Sequence, residues 1–155
     1  MLLRALEHIR SVRPDLPIRV FAARPPSHRL PERVEVHIRP ALADLRDLYN
    51  DSAVLLHPSR SEGWPLVPME AAACGCAIVA CANPGVSECF TAGVSMQAVP
   101  VGDGEALGQG ALDVLADDAL RIRLAEAGRD AVDRTSWSAS ADVLESALLR
   151  ILETS

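Results

Sequence analysis

Lysine is absent from this sequence, and aromatic residues are scarce. All 15 basic residues are arginine, and aromatic side chains make up 3% of the 155 residues. A cationic contact to a phosphate group must therefore come from arginine, whose planar guanidinium matches phosphate oxygens well. The chain also lacks an excess of positive charge, since its net charge is −6. Because nucleic-acid binding relies on a basic surface that neutralises phosphates, we expect no nucleic-acid partner.

Long apolar runs are missing as well. Met1-Leu2-Leu3 is interrupted at once by Arg4 and Glu7, and no later stretch reaches the roughly 20 apolar residues of a membrane-spanning helix. We therefore expect neither a signal peptide nor a transmembrane segment, and a cytoplasmic protein. The 49% hydrophobic and 23% charged residues are typical of a globular domain with a sizeable core.

Common metal-binding patterns do not occur either. The four cysteines, Cys74, Cys76, Cys81 and Cys89, form no C-x-x-C pair and have no histidines at zinc spacing. No D-x-D pattern is present. We expect buried free thiols and no bound metal.

What the chain does contain is a regular alternation of apolar patterns. Helical spacing predicts helices over 1–12, 42–51, 105–116, 119–133 and 138–152, the last with Ser138 as its N-cap. Short apolar or alternating runs predict strands over 18–23, 33–39, 53–57, 77–81 and 95–99, and a helical turn over 86–91. Alternating strands and helices predict a Rossmann-like α/β fold, with a parallel sheet, helices on both faces and extra helices at the C-terminal end. We expect residues 1–155 to form a single domain.

Residues 57–80 carry the main candidate site, as a strand end, a polar loop, a helix and another strand. A helix entered from a strand end offers unpaired N–H groups and a positive dipole, which suit a phosphate. Glu62 and Glu70 flank that position and would repel an anion. We therefore expect both carboxylates to accept hydrogen bonds from neutral hydroxyls of a sugar or ribose.

The stretch from Ser59 to Ala80, SRSEGWPLVPMEAAACGCAIVA, resembles the E-x7-E signature of retaining GT-B glycosyltransferases, in particular glycosyltransferase family 4, or group 1. Further pieces follow in the order of that family: Pro84-Gly85 with Glu88, Val99-Pro100-Val101-Gly102-Asp103, and Ser136-Trp137. The resemblance covers nearly all 155 residues, but only the C-terminal, donor-binding half of such an enzyme.

The resemblance implies a hexosyl-type transferase that takes a nucleotide-diphosphate sugar as substrate and needs no other cofactor. Glu62 is then the catalytic residue beside the transferred sugar, and Glu70 holds the ribose hydroxyls. The remaining donor-binding positions implied are Gly63, Trp64, Leu66 and Val67 through their backbone amides, and Arg39 beside the nucleobase. Arg60 is suitably placed in the loop to contact a phosphate, or it is a solvated arginine.

The loop also departs from the family. Pro65 stands where the pattern has glycine, and Pro68 follows in the first helical turn, so two amide donors are lost. Trp64 either stacks on a sugar face or fills the cleft wall. His57 either lines the cleft or ends its strand, and we expect Glu88 to cap or tether the short helix.

An acceptor-binding N-terminal GT-B domain is not contained in these residues, so we expect residues 1–155 alone not to transfer sugar. The unpaired flank of the strand at 18–23 should favour self-association. Two alternatives stay open: a non-catalytic nucleotide-binding or assembly module of the same ancestry, and a GT-B sugar-nucleotide epimerase.

Overall fold

The computed structural model describes residues 1–135 and 137–153. Apart from the first two strands, which follow one another, strands and helices alternate through the first two thirds of the chain, and helices follow one another in the last third. The helices are α1 (Leu2–Val12), α2 (Leu42–Asn50), α3 (Leu66–Ala73), α4 (Pro84–Cys89), α5 (Gly104–Ala116), α6 (Asp118–Asp133) and α7 (Trp137–Glu153). The strands are β1 (Ile18–Ala22), β2 (Val34–Ile38), β3 (Val54–His57), β4 (Ala77–Cys81) and β5 (Gln97–Val99).

Every pair of neighbouring strands is parallel. β1 pairs with β2, with Val20 opposite Val36, whereas β4 lies between β3 and β5. The strands form a two-stranded sheet, β1-β2, and a three-stranded sheet, β3-β4-β5, within the part of the chain that the structure describes. The parallel α/β architecture predicted from the sequence is confirmed, with the difference that its strands are divided between two sheets.

β4 is the centre of the core. Ile78 and Ala80 pack on one side with buried residues of α2, α3, α4 and α6. Ala77, Val79 and Cys81 pack on the other side with residues of α1, α5 and α6. The alternation follows from the period of two in a strand. Helices on both faces therefore bury this strand completely, as its unbroken apolar sequence predicts.

Two glycines let α1 lie close against α5. A Cβ atom on Gly108 would stand 2.7 Å from the carbonyl oxygen of Ala5, and one on Gly104 would stand 2.5 Å from that of Met1. At the start of α1, the sulfur of Met1 lies 3.7 Å from the thiol of Cys81, the last residue of β4. α1 therefore begins at the carboxyl end of the three-stranded sheet.

Two elements, α4 and β5, begin two residues away from their predicted starts, whereas the boundaries predicted for the other elements differ by at most one residue. α4 begins at Pro84 rather than at Val86, because the side chain of Asn83 accepts a hydrogen bond from the N–H of Val86 (3.1 Å) and caps the helix. β5 begins at Gln97 rather than at Ser95. The hydroxyl of Ser95 is engaged in a turn, where it accepts the N–H of residue 91 (2.8 Å).

α7 begins at Trp137, so Ser138 lies in its first turn and is not its N-cap as predicted. Ser136 and the side chain of Trp137, which belong to the last family motif, lie outside the described residues. None of the helices in the described ranges has the length and apolarity of a membrane span. α7 nevertheless exposes six large apolar side chains: Val143, Leu144, Leu148, Leu149, Ile151 and Leu152.

Candidate functional site

Loop 58–65 connects the carboxyl end of β3 to the first turn of α3. Pro65 occupies the N-cap position and is buried, and no side chain caps the helix. The N–H of Leu66 donates to the carbonyl of Trp64 (3.0 Å). The first N–H groups of a helix have no acceptor within the helix. The start of α3 therefore keeps the positive end of its dipole beside Glu62, although the amide of Leu66 is already engaged.

Glu62 is oriented by the buried imidazole of His57. Nε2 of His57 lies 3.1 Å from Oε1 of Glu62. Burial lowers the pKa of His57 below its ordinary value, and it outweighs the attraction of the Glu62 carboxylate, which acts in the opposite direction. The ring is therefore neutral at pH 7 and donates its Nε2–H to Glu62.

The backbone of Glu62 is fixed by close contact with α4. A Cβ atom on Gly85 would overlap the carbonyl oxygen of Glu62, so only glycine permits this approach. Asn83 adds a second tie, because its Nδ2 donates to the carbonyl of Ser59 (3.2 Å). Loop 58–65 is thus held to the N-terminus of α4 at two positions.

Glu70 is oriented in the same manner by Tyr49 of α2. The Tyr49 hydroxyl donates to Oε2 of Glu70 (3.0 Å). Burial, and then the neighbouring Glu70 carboxylate, raise the pKa of Tyr49 well above its ordinary value, so the phenol remains a donor. Glu70 itself is exposed, and a carboxylate accepts about four hydrogen bonds, so it has capacity for a ligand.

Arg60 extends over the ends of the neighbouring strands. Its Nη2 stands 3.8 Å from the position of a Cβ on Gly102, in the turn after β5. Its charge also acts on the thiol of Cys81 at the end of β4, where it opposes the rise in pKa that burial causes. The guanidinium of Arg60 therefore lies at the same edge of the sheet as Glu62.

Arg39 occupies a different surface. It follows β2 with φ of 50°, and its N–H donates to the carbonyl of Ala22 (2.9 Å). Its neighbours in a shallow cleft of about 570 Å³ include Asp44 and Asp47, and no residue of loop 58–65 lines that cleft. The structure thus places Arg60 at the sheet edge where Glu62 lies and leaves Arg39 with the two-stranded sheet.

Comparison with known proteins identifies the family. The family profile described as glycosyl transferases group 1 matches residues 26–131. The chain belongs to this family. Over 114 residues it is 35% identical to the D-inositol 3-phosphate glycosyltransferase of Xylanimonas cellulosilytica, an alignment that covers 71% of this chain and 26% of that protein. The chain thus spans about a quarter of the length of this curated relative.

Solved structures share the fold. Sucrose-phosphate synthase from Thermosynechococcus elongatus superposes with a TM-score of 0.80 at 23% identity, over 99% of this chain and 43% of that chain. HepE of Anabaena, solved in complex with UDP-glucose, superposes with a TM-score of 0.67 at 22% identity, over 76% of this chain and 33% of that chain. The expected C-terminal GT-B fold is thereby confirmed.

Three further residues with expected roles, Trp64 and Gly63 of loop 58–65 and Glu88 of α4, are exposed. Trp64 is 47% exposed, so the rest of the loop does not bury it, and its indole is accessible to a ligand. Gly63 is also exposed, and a Cβ added to it would meet no atom within 4 Å. Glu88 lies exposed in the last turn of α4, whose N-cap is Asn83. Asn83 therefore takes the capping role that was expected of Glu88, and the alternative role of Glu88, to tether the helix, stays a prediction.

The cysteines are free thiols, as expected. Cys76 and Cys81 are buried, and Cys74 and Cys89 are partly buried. The thiol of Cys76 donates to the carbonyl of Tyr49 (3.2 Å), and burial raises its pKa to about 12. No group of three or more metal-ligating side chains occurs in residues 1–135 and 137–153.

Sequence analysis missed the residues that hold the site in place. His57 was considered without a partner, and neither Tyr49 nor Asn83 was considered for the site. Only Asn83 carried a sequence signal, because Asn followed by Pro is typical of a helix start. The Tyr49–Glu70 bond joins residues 21 positions apart on two helices, and no sequence spacing predicts it.

Proposed function

We propose that this chain binds the nucleotide-diphosphate sugar donor of a longer group 1 glycosyltransferase, which transfers the sugar with retention of configuration. The observation that carries the proposal is the paired orientation of two carboxylates. A buried neutral donor, His57 or Tyr49, holds each of Glu62 and Glu70 at opposite ends of one strand-to-helix junction. Such oriented acceptors suit the hydroxyl groups of ribose and sugar.

Glu70 is assigned to the ribose. It is exposed, it lies one turn into α3, and Tyr49 engages one of its two oxygens. Two ribose hydroxyls can donate to the acceptor positions that remain. A fixed carboxylate loses little side-chain freedom when the ligand binds, and this favours affinity.

Glu62 is assigned to the transferred sugar, as the catalytic residue. The phosphates then lie at the start of α3, where the helix dipole and Arg60 compensate their charge. The backbone amides of Gly63, Trp64 and Val67 are the donors assigned to phosphate or sugar oxygens. Leu66 contributes only if its bond to Trp64 opens.

Arg39 is assigned to the nucleobase through its backbone, and this is the assignment with the least structural support. Its side chain lines a separate cleft together with acidic residues. Its left-handed backbone conformation, which is uncommon for a non-glycine residue, turns the chain sharply after β2. A contact with the base therefore requires the ligand to reach from α3 to the end of the two-stranded sheet.

The family match supports a transferase rather than an epimerase, and the HepE complex supports UDP-glucose-like donors. Residues 1–155 alone are proposed to bind the donor and not to transfer its sugar. A non-catalytic nucleotide-binding module would bind nucleotides equally well. Sugar transfer by an enzyme of full family length distinguishes the two.

The test separates the roles of the two glutamates by calorimetry with nucleoside diphosphate. Glu70→Gln replaces a charged acceptor by a neutral one and should weaken binding by about 1 to 3 kcal/mol. Glu62→Gln should leave this binding nearly unchanged, since the ligand carries no sugar. Glu126→Gln, an exposed residue of α6, is the matched control. Equal weakening by both site variants contradicts the assignment.

The donor itself is found by thermal shift with UDP-, GDP- and ADP-sugars. A ligand that binds only the native state raises Tm, and at 100 times its Kd it adds about 2.7 kcal/mol of stability. We expect one base to raise Tm clearly more than the others. If no nucleotide sugar shifts Tm at millimolar concentration, residues 1–155 are not a donor-binding domain.

A further inference from the structure

Cys76 lies where the two helices that carry Tyr49 and Glu70 are joined by hydrogen bonds. It follows α3, the helix of Glu70, and directly precedes β4. Its Sγ lies 3.2 Å from the carbonyl oxygen of Tyr49, in the last turn of α2, and 3.2 Å from that of Ser52, just beyond this helix. A thiol has a single proton, so the two carbonyls share it. The end of α2 is therefore tied to the segment that follows α3.

The backbone of Cys76 is fixed independently of its thiol. Gly75 ends α3 with φ of 88°, which favours glycine, and its N–H donates to the carbonyl of Ala72 (2.9 Å). The N–H of Cys76 itself donates to the carbonyl of Ala71 (3.0 Å). Cys76 has no exposed surface, and the buried strand β4 begins at the next residue. The thiol is thus held at a defined position by α3 and β4.

The end of α2 gains a fixed position from this thiol. The last four carbonyl groups of a helix receive no hydrogen bond from within the helix, and Tyr49 is the second-last residue of α2. Its carbonyl accepts the N–H of Ser52 (3.0 Å) and the thiol of Cys76. The bond from Ser52 lies within a turn that moves together with α2. The bond from Cys76 connects that turn to α3 and β4, so it determines where α2 ends relative to α3.

Tyr49 is consequently held at both of its ends by residues 70–76. Cys76 binds its carbonyl, and its hydroxyl donates to Oε2 of Glu70 (3.0 Å). The ring is buried and packs edge-to-face against Phe21, so a shift of the backbone is passed on to the hydroxyl. The distance of 3.0 Å is at the upper end of the range for O–H···O bonds. A small movement of Tyr49 away from α3 should therefore weaken its bond to Glu70.

We propose that Cys76 is a positioning residue for the ribose site, because its thiol holds the end of α2 where the Tyr49 hydroxyl reaches Glu70. Cys76 acts through Tyr49 and does not contact the ligand. The expected effect on nucleotide binding rests on the role of Glu70 in the proposed function. The effect on Tyr49 does not, so the two can be measured separately.

The experiment compares Cys76→Ala with Cys76→Ser. The two variants leave similar cavities, but only serine keeps a donor for the two carbonyls. Tyr49 is the only tyrosine of the sequence, so tyrosine labelled with ¹³C at Cζ gives a single NMR signal at pH 7. Glu70→Gln supplies the reference signal of a phenol without its charged acceptor. Cys76→Ala should move the signal towards that reference, and Cys76→Ser should leave it close to the parent position.

Calorimetry measures the effect on binding, with whichever of UDP, GDP and ADP binds residues 1–155 most tightly. Cys76→Ala should weaken binding by about two- to tenfold, the range expected from the loss of one hydrogen bond, and Cys76→Ser should restore it. Cys89→Ala is the matched control, since Cys89 of α4 packs against the same apolar cluster. It should change neither the Tyr49 signal nor the affinity. If Cys76→Ala does not fold, Cys76→Val fills the same volume without a donor and takes its place.

Two results overturn the proposal. One is a Tyr49 signal that Cys76→Ala leaves unchanged or that Cys76→Ala and Cys76→Ser shift equally. The other is an unchanged affinity in Cys76→Ala when Glu70→Gln does weaken binding. If Glu70→Gln itself leaves the affinity unchanged, the ribose assignment fails, and the NMR signals alone then decide whether Cys76 positions Tyr49.

Discussion

The two sheets of this domain differ in how completely they are buried. All five residues of β4 have no exposed surface, because helices cover both faces of the three-stranded sheet. In the two-stranded sheet, Val36 and Ile38 of β2 are 38% and 40% exposed. Burial of apolar surface is the main source of folding free energy. We therefore expect the three-stranded sheet to contribute more of the stability than the two-stranded sheet.

The candidate site is built on elements that adjoin the well-buried three-stranded sheet. It also depends on one contact with the two-stranded sheet. Loop 58–65 and α3 connect β3 to β4, and α4 connects β4 to β5, so all three adjoin the three-stranded sheet. Tyr49, which orients Glu70, packs edge-to-face against Phe21 of β1, with ring centroids 5.7 Å apart. Tyr49 therefore links the two-stranded sheet to the carboxylate assigned to ribose.

The largest expected effect is a difference between the two sheets in how much a core substitution lowers the free energy of unfolding. Ile78→Ala in β4 should lower the free energy of unfolding by about 2 to 5 kcal/mol, because it leaves a cavity in a fully buried position. Val36→Ala in β2 should cost less than about 1 kcal/mol, because the side chain is already partly in water. Urea unfolding of both variants measures the difference. Similar losses would show that the two sheets contribute equally.

A smaller effect tests the tie between loop 58–65 and α4. Asn83→Ala removes the cap of α4 and should cost about 0.5 to 2 kcal/mol. It should also weaken nucleoside diphosphate binding, since the bond to the Ser59 carbonyl is lost. Asp117→Ala is the matched control, because Asp117 caps α6 through the N–H of Leu120 (2.9 Å) in the same way. If both variants bind the nucleotide equally, Asn83 acts on stability alone.

The same difference in burial explains which element boundaries can be predicted from the sequence. β4 was predicted to the residue, since a continuous apolar run in a buried strand leaves little choice. β5 and α4 were misplaced by two residues, because side-chain bonds of Ser95 and Asn83 decide where these elements begin. The division into two sheets was not predicted, since strand patterns do not show which edges pair.

For the site, the sequence predicts which residues are candidates but does not predict which side chains orient them. The motif predicts Glu62, Glu70 and the segment between them, because all of these lie in one continuous stretch of the chain. The partners that orient them come from a strand end and from another helix. The contact between Tyr49 and Glu70 depends on the packing of α2 against α3, which local periodicity does not specify. The assignment of Arg39 to the nucleobase stays a prediction, and its side chain lines a cleft with Asp44 and Asp47.

The smallest expected effect concerns the pH dependence that His57 gives to the free energy of unfolding. His57 is the last residue of β3, at the open edge of the three-stranded sheet. Its pKa is lower in the folded state than in the unfolded chain, where it is about 6.5. Below pH 6.5 the unfolded chain therefore binds more protons, so this contribution to stability is present above that pH and is lost on acidification. His57→Gln should make the urea midpoint vary less between pH 7.5 and pH 5 than in the parent protein. Glu62→Gln should have the opposite effect, because it removes the carboxylate whose attraction opposes the lowering of the pKa. If His57→Gln shows the same pH dependence as the parent, burial does not lower the pKa of His57 in the folded protein.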